Sequence, residues 1–101
     1  MNAGSHEDLK AIRNEMARLT LEIIRLSGER LALARKIGEI KAQINAPIED
    51  PLVENELKIK VVNFSKEHGI DVNFSLKLLD LLLSESKRIQ QGIVKSKLKI
   101  S

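Results

Sequence analysis

The sequence predicts an all-α protein built from three helices, one long, one short and one of medium length, and three observations carry that reading. The 2 prolines stand close together, at Pro47 and Pro51, so the chain on either side of them is free to be helical. With 5 glycines in 101 residues and 31% charged residues, the composition is that of a helix-rich globular chain. Apolar residues recur at alternating spacings of three and four, with no strand-like alternation. The length suits one small domain, 1–101, with residues 1–6 expected as a disordered tail.

The first helix is expected over about 6–45. Its apolar positions are Leu9, Ile12, Met16, Leu19, Ile23 and Leu26, then Leu33, Ile37, Ile40 and Ile44, a heptad seam sustained for five repeats. Such a helix is roughly 60 Å long at 1.5 Å per residue. A compact 100-residue domain has a diameter of only about 34 Å. The seam is therefore expected to be buried against another copy of the chain, in an intertwined two-fold homodimer. A long solitary coiled coil fits less well, because the other two helices carry broad apolar faces of their own.

Ala46, Pro47, Ile48 and Glu49 break the pattern. Asp50 followed by Pro51 reads as an N-cap and a first-turn proline, opening a second helix over about 51–67. It stops at His68 and Gly69, where glycine can take the left-handed conformation. Asp71 can cap a third helix over about 72–98. Its stretch from Leu76 to Leu83 is apolar on nearly all sides, and burial on several sides is expected.

Several functions are excluded by composition. There is no cysteine, hence no disulfide, thiolate catalysis or cysteine metal site. The 2 histidines, His6 and His68, are too few and too far apart for a metal centre, and neither metal nor cofactor is expected. No apolar run approaches the roughly 18–20 residues of a bilayer span, and none follows a basic start as in a signal peptide, so a cytoplasmic protein without membrane contact is expected. A net charge of +3 mildly favours anionic partners. The basic cluster Lys87, Arg88, Lys95, Lys97 and Lys99 lacks the Tyr or Trp that would stack on bases, so it reads as a solvated face, and no nucleic-acid partner is expected.

Polar residues interrupt the apolar stripes on all three helices. Arg30 takes a seam position between Ile23 and Ile37. It is either an interhelical ion pair that fixes register or a group awaiting an anion. Lys41, eleven residues on, returns to within about 20° of the same direction, with only Ala34 and Gly38 between. Gly38 costs about 1 kcal/mol inside a helix, which close approach of a ligand or a helix would explain. Two cations flanking small residues suit a compact dianion with two separated carboxylates. On the third helix Ser86 and Gln90, four apart, interrupt the stripe of Leu79, Leu83 and Ile93. They either satisfy each other or aim hydrogen bonds at a bound polar molecule. Glu54 sits one turn inside the second helix on the face of Leu57 and Val61, where it would at least favour the positive helix end. Arg13 lies about 25 Å along the axis from Arg30, so it cannot share one small ligand with Arg30 of its own chain. It serves a partner's site, or it is an ordinary charge at the seam's edge.

These residues resemble the all-helical class of chorismate mutases. The resemblance runs from about Leu9 to Gln91 without gaps against the bacterial type. It is carried by Ile12 and Arg13, Glu29 and Arg30, Gly38 to Lys41, Pro47 to Asp50, Glu54, and Ser86 with Ile89, Gln90 and Gln91. It implies an intertwined homodimer with two identical sites that convert chorismate to prephenate by an intramolecular Claisen rearrangement, on the way to phenylalanine and tyrosine. By matching position, Arg30 and Arg13 of the partner subunit bind the two carboxylates, with Ser86 assisting at the ring carboxylate. Lys41 and Gln90 reach the ether oxygen, while Glu54 and the backbone N–H of Asp50 hold the ring hydroxyl. Val53 departs from the pattern, since many members carry an arginine there that supports the site, and this leaves open how firmly Glu54 is held. A pericyclic reaction needs a folded substrate and positive potential at the breaking C–O bond, and no nucleophile, metal or cofactor. Two other readings remain open on the sequence alone: an isochorismate pyruvate-lyase on the same fold, and a non-catalytic helical dimerisation or nucleic-acid-binding module.

Overall fold

A computed structural model describes residues 4–100 and the side chains of residues 4–97. Part of the expected tail, residues 1–3, and the side chain of Lys99 lie outside the described residues. Three helices follow one another, α1 (His6–Ile44), α2 (Pro51–Glu67) and α3 (Val72–Ile100), and no strand occurs among the described residues. The chain divides into two compact units, Met1–Arg30 and Leu31–Ser101.

The first unit holds the N-terminal part of α1. Ser5 opens the helix, its hydroxyl accepting from the Asp8 N–H at 3.0 Å and its carbonyl from the Leu9 N–H at 3.1 Å. Glu7 and Asp8 in the first turn complement the positive helix end. Glu15 pairs with Arg18, and Glu22 and Glu29 both pair with Arg25, at the three- and four-residue spacings that face each other on a helix. The apolar seam lies open: Leu9, Ile12, Met16, Leu19, Ile23 and Leu26 are all exposed, Met16 to 63%.

The second unit joins the C-terminal part of α1 to α2 and α3. Asn45 has φ 57°, and the Ala46 N–H reaches back to the Lys41 carbonyl at 2.9 Å, so α1 ends in a left-handed turn that satisfies a terminal carbonyl. Asp50 caps α2 by accepting from the Val53 N–H at 3.3 Å, with Pro51 in the first turn. The same device closes α2, where Gly69 has φ 65° and the Ile70 N–H bonds to the Ser65 carbonyl at 2.8 Å. Asp71 starts α3 by accepting from the Phe74 N–H at 2.8 Å.

α2 and α3 pack on each other across this short turn. Ser65, buried, places Oγ 2.7 Å from both the Val61 carbonyl and Ser75 Oγ, and Ser75 Oγ donates to the Asp71 carbonyl at 3.1 Å. The two small residues bring the helices together at the turn. Around this contact they flank an apolar groove of about 430 Å³ lined by Phe64, Ile70, Phe74, Leu78 and Leu82 as well as the two serines, among others.

Burial along α3 is narrower than its composition predicts. Leu79 is buried, but Leu78 and Leu81 are exposed, Leu81 to 61%. Among the described residues the buried apolar side chains are Ala34 and Leu79 alone. A helix in this unit meets its neighbours with one stripe only, so the remaining leucines stay open in the single chain.

α1 and α3 meet at Gly38, which is buried. A Cβ placed on it would stand 3.1 Å from the Gln90 Cα and 3.2 Å from the Ile93 Cδ1. Of the two reasons that would justify a mid-helix glycine here, the structure supplies close approach of a helix, α3. Gly38→Ala is therefore expected to destabilise the fold by about 1–3 kcal/mol, because the obstacle is backbone and cannot swing aside. Gly28, with nothing within 4 Å of its absent Cβ, provides the contrast. Gly28→Ala should stabilise by about 0.5–1 kcal/mol through helix propensity. Thermal or denaturant unfolding of the two variants checks the opposite signs; equal behaviour would mean that α3 can draw back from α1.

Candidate active site

Three segments of the second unit carry candidate residues: α3, the last turns of α1 that meet it at Gly38, and the start of α2. Gln90 stands at the contact with Gly38 and is only 6% exposed. Its Oε1 is buried and has no hydrogen-bond partner among the described residues. An amide oxygen left unpaired in this way costs about 1–3 kcal/mol. Ser86, one turn earlier on the same face, is buried as well and already has an interaction within the chain. The two do not simply cancel each other, because the Gln90 oxygen is left over.

Lys41 lies one turn past Gly38, half-buried, and its Nζ donates to the Ile48 carbonyl at 2.8 Å. This bond ties the end of α1 to the segment that leads into α2. An ammonium carries three donors, so one bond leaves others for a further acceptor. Among the described residues, then, a cation and a neutral amide border the same helix contact.

The start of α2 supplies the third segment. Asp50 commits its carboxylate to the helix cap, and its carbonyl accepts from the Glu54 N–H at 3.0 Å. Glu54 is half-buried and turns toward α3, where its Oε1 lies 2.6 Å from the Lys87 Nζ. Glu49 reaches the same ammonium at 3.1 Å. The Lys87 ammonium is held above its ordinary value, chiefly by the hydrogen bond to Glu54 and next by that to Glu49. Its positive charge therefore persists through neutral pH. Beside them lies a cavity of about 240 Å³, bordered by Glu54 and Lys87 together with Asn55, Lys58, Asp80 and Ser84 among others. Lys41, Ser86 and Gln90 do not line it.

Lys87 and Glu49 are neighbours of the candidate site to which the sequence reading assigns no role there. Composition groups Lys87 with a basic, solvated face; in the structure it bridges two carboxylates, and Arg88 pairs with Glu85 at 2.9 Å, which holds the Glu85 carboxyl below its usual range. The signal that could have found Lys87 is position. It follows Ser86 and stands three residues before Gln90, on the border of the interrupted stripe, and carboxylates at 49, 50 and 54 crowd one helix start. Val53, the departure from the resemblance, is exposed, and the cation beside Glu54 comes from α3 instead.

Lys41, Asp50, Glu54, Ser86 and Gln90 all belong to the second unit; Arg13 and Arg30 belong to the first. Arg13 is exposed there, and Arg30 is half-buried and has an interaction of its own. No group of three or more His, Cys, Asp or Glu residues placed to hold a metal occurs among the described residues.

Chorismate mutase of Methanocaldococcus jannaschii is 33% identical over 85 residues, which cover 84% of this chain and 86% of that protein. The bifunctional chorismate mutase/prephenate dehydratase of Aquifex aeolicus is 46% identical over 61 residues, 60% of this chain but only 17% of that longer protein. A 4-amino-4-deoxychorismate mutase of Streptomyces venezuelae is 26% identical over 89 residues, 81% of this chain and 86% of the relative. Residues 12–91 match the family described as Chorismate mutase type II, and the chain belongs to that family.

Proposed function

We propose that the chain is a chorismate mutase, an isomerase that converts chorismate to prephenate by an intramolecular Claisen rearrangement in aromatic amino acid biosynthesis. The observation that carries this reading is the buried Gln90, its Oε1 unpaired, at the α1–α3 contact of a type II family member, with Lys41 one helical turn past Gly38. Charge develops on the ether oxygen as the C–O bond breaks, and a preorganised cation and amide answer it in a water-poor place. The Gln90 amide has hydrogen-bonding capacity left over, and a half-turn of the amide brings its NH₂ donors to where the oxygen stands.

Arg30 and the partner subunit's Arg13 clamp the two carboxylates, and Ser86 assists at the ring carboxylate. Clamping folds the flexible enolpyruvyl arm over the ring, which removes the conformational part of the barrier. Glu54 and the backbone N–H of Asp50 take the ring hydroxyl. The same reading makes residues 1–101 one catalytic domain and the working form an intertwined homodimer with shared sites. The open seam of Ile12, Met16 and Ile23, and an apolar core of Ala34 and Leu79 among the described residues, leave much surface for a second copy to cover. No helix among the described residues is long and apolar enough to cross a membrane, and we place the enzyme in the cytoplasm.

Purified protein offered chorismate and isochorismate in separate reactions should give prephenate from the first and no salicylate with pyruvate from the second. Its solution mass should be twice the 11.3 kDa of the single chain. Salicylate as the product would favour the lyase, and a monomer that turns over chorismate would overturn the shared-site arrangement.

Lys41→Ala and Gln90→Ala should each lower kcat by about 10²–10³, or roughly 3–4 kcal/mol, with helix content by circular dichroism and solution mass unchanged. Full activity in either variant would remove that residue from the mechanism. Gln90 donates as a neutral amide and needs no proton uptake, so the rate should hold between about pH 5 and 8. A rate that collapses over that interval would mean that another, titrating group acts as the donor.

A further inference from the structure

The mutase reading gives Glu54 a hydroxyl to hold but leaves unexplained why a dianionic substrate tolerates a carboxylate there at all. Glu49, Asp50 and Glu54 put three carboxylates at one helix start. The Asp50 carboxylate is committed to the cap, which leaves Glu49 and Glu54 to repel each other and any incoming anion. One ammonium deals with both. Lys87 Nζ lies 2.6 Å from Glu54 and 3.1 Å from Glu49, and the Lys87 and Glu54 side chains are 29% and 26% exposed. Partial removal from water makes this pair stronger than an ordinary surface pair. It also fixes the direction of Glu54, whose carboxylate is drawn to α3, the helix that carries Ser86 and Gln90.

We infer that Lys87 is the positioning residue for Glu54 and that it selects substrates with a neutral hydroxyl, rather than an ammonium, at the ring position Glu54 contacts. This rests on the mutase reading and deepens it. A carboxylate already opposed by one ammonium has lone pairs left to accept a hydroxyl proton, and its charge is largely neutralised. A protonated amine in the hydroxyl's place would meet the like charge of Lys87 beside the same carboxylate. Without Lys87, Glu54 would be a bare carboxylate, repelling the dianion and attracting that amine. The alternative substrate is chemically concrete: 4-amino-4-deoxychorismate, for which the Streptomyces relative is named, replaces one ring hydroxyl by an amino group.

The test measures kcat and KM for chorismate and for 4-amino-4-deoxychorismate with the unaltered protein, Lys87→Met and Lys87→Arg. The unaltered protein should prefer chorismate. Lys87→Met, which keeps the length of the stem and loses the charge, should raise KM for chorismate about fivefold with a smaller change in kcat. It should also move the ratio of kcat/KM values toward the amino substrate by at least that factor, while Lys87→Arg keeps the original preference. Glu49→Gln covers the case of a poorly folding Lys87→Met: it alters an exposed partner and leaves the ammonium wholly to Glu54, so the preference for chorismate should hold or sharpen. Equal loss on both substrates in Lys87→Met, or a shift toward the amino substrate in Glu49→Gln, would overturn the inference while the mutase reading stands. No turnover of chorismate by the unaltered protein would overturn the mutase reading itself, and this inference with it.

Discussion

The contact between Gly38 and Gln90 is the constraint on which the second unit depends. With any larger residue at 38, the Gln90 backbone would have to move away, because the space for a Cβ already ends at 3.1 Å. Close approach does two things together. It puts the Gln90 side chain in a dry place where its Oε1 has no partner among the described residues, and it leaves Lys41 one turn of α1 past the contact. A glycine that weakens its own helix by about 1 kcal/mol thus positions the two groups to which we assign the reaction.

The cations are placed in a comparable way. The Lys41 ammonium rests on the Ile48 carbonyl, and the Lys87 ammonium rests on Glu49 and Glu54. Each is held by the chain at a fixed place before any substrate arrives, which is what electrostatic preorganisation requires. The Lys41 bond has a second consequence, since it anchors the segment before α2 and so the helix start from which Glu54 projects. In the proposed reaction the ether oxygen would add to the bonds of Lys41, and the ring hydroxyl would add to those of Glu54, with neither group having to be ordered first.

The apolar surface has a different logic. Among the described residues the buried apolar side chains are Ala34 and Leu79, and the seam from Leu9 to Leu26 stands open, so the chain buries little of its hydrophobic surface on itself. Folding stability comes mainly from apolar burial, and a chain of this kind needs a partner surface to complete its core. The homodimer we propose meets that need with the same seam that would carry the partner subunit's Arg13 to a shared site, tying assembly to catalysis.

Helix ends and odd residues are legible in the amino-acid sequence by itself. Asp50 with Pro51, Gly69 and Asp71 mark helix ends because capping is decided within four or five residues by backbone groups that must be satisfied. Helical periodicity exposes Gly38, Ser86 and Gln90 as odd members of apolar stripes, since a stripe is a property of one helix alone. The pattern leaves open which surface each stripe will meet. The leucine-rich run of α3 reads as buried on several sides, and only the packing on α2 and α1 decides that Leu79 is inside while Leu81 is not. Lys87 is the sharpest case. It stands 33 positions along the chain from Glu54, and its place beside Ser86 marks it as a neighbour of the interrupted stripe without saying which carboxylate it will meet. Its role exists only because α2 and α3 fold back on each other and bring a cation from one helix to the acidic start of the next, a long-range pairing that sequence spacing does not encode.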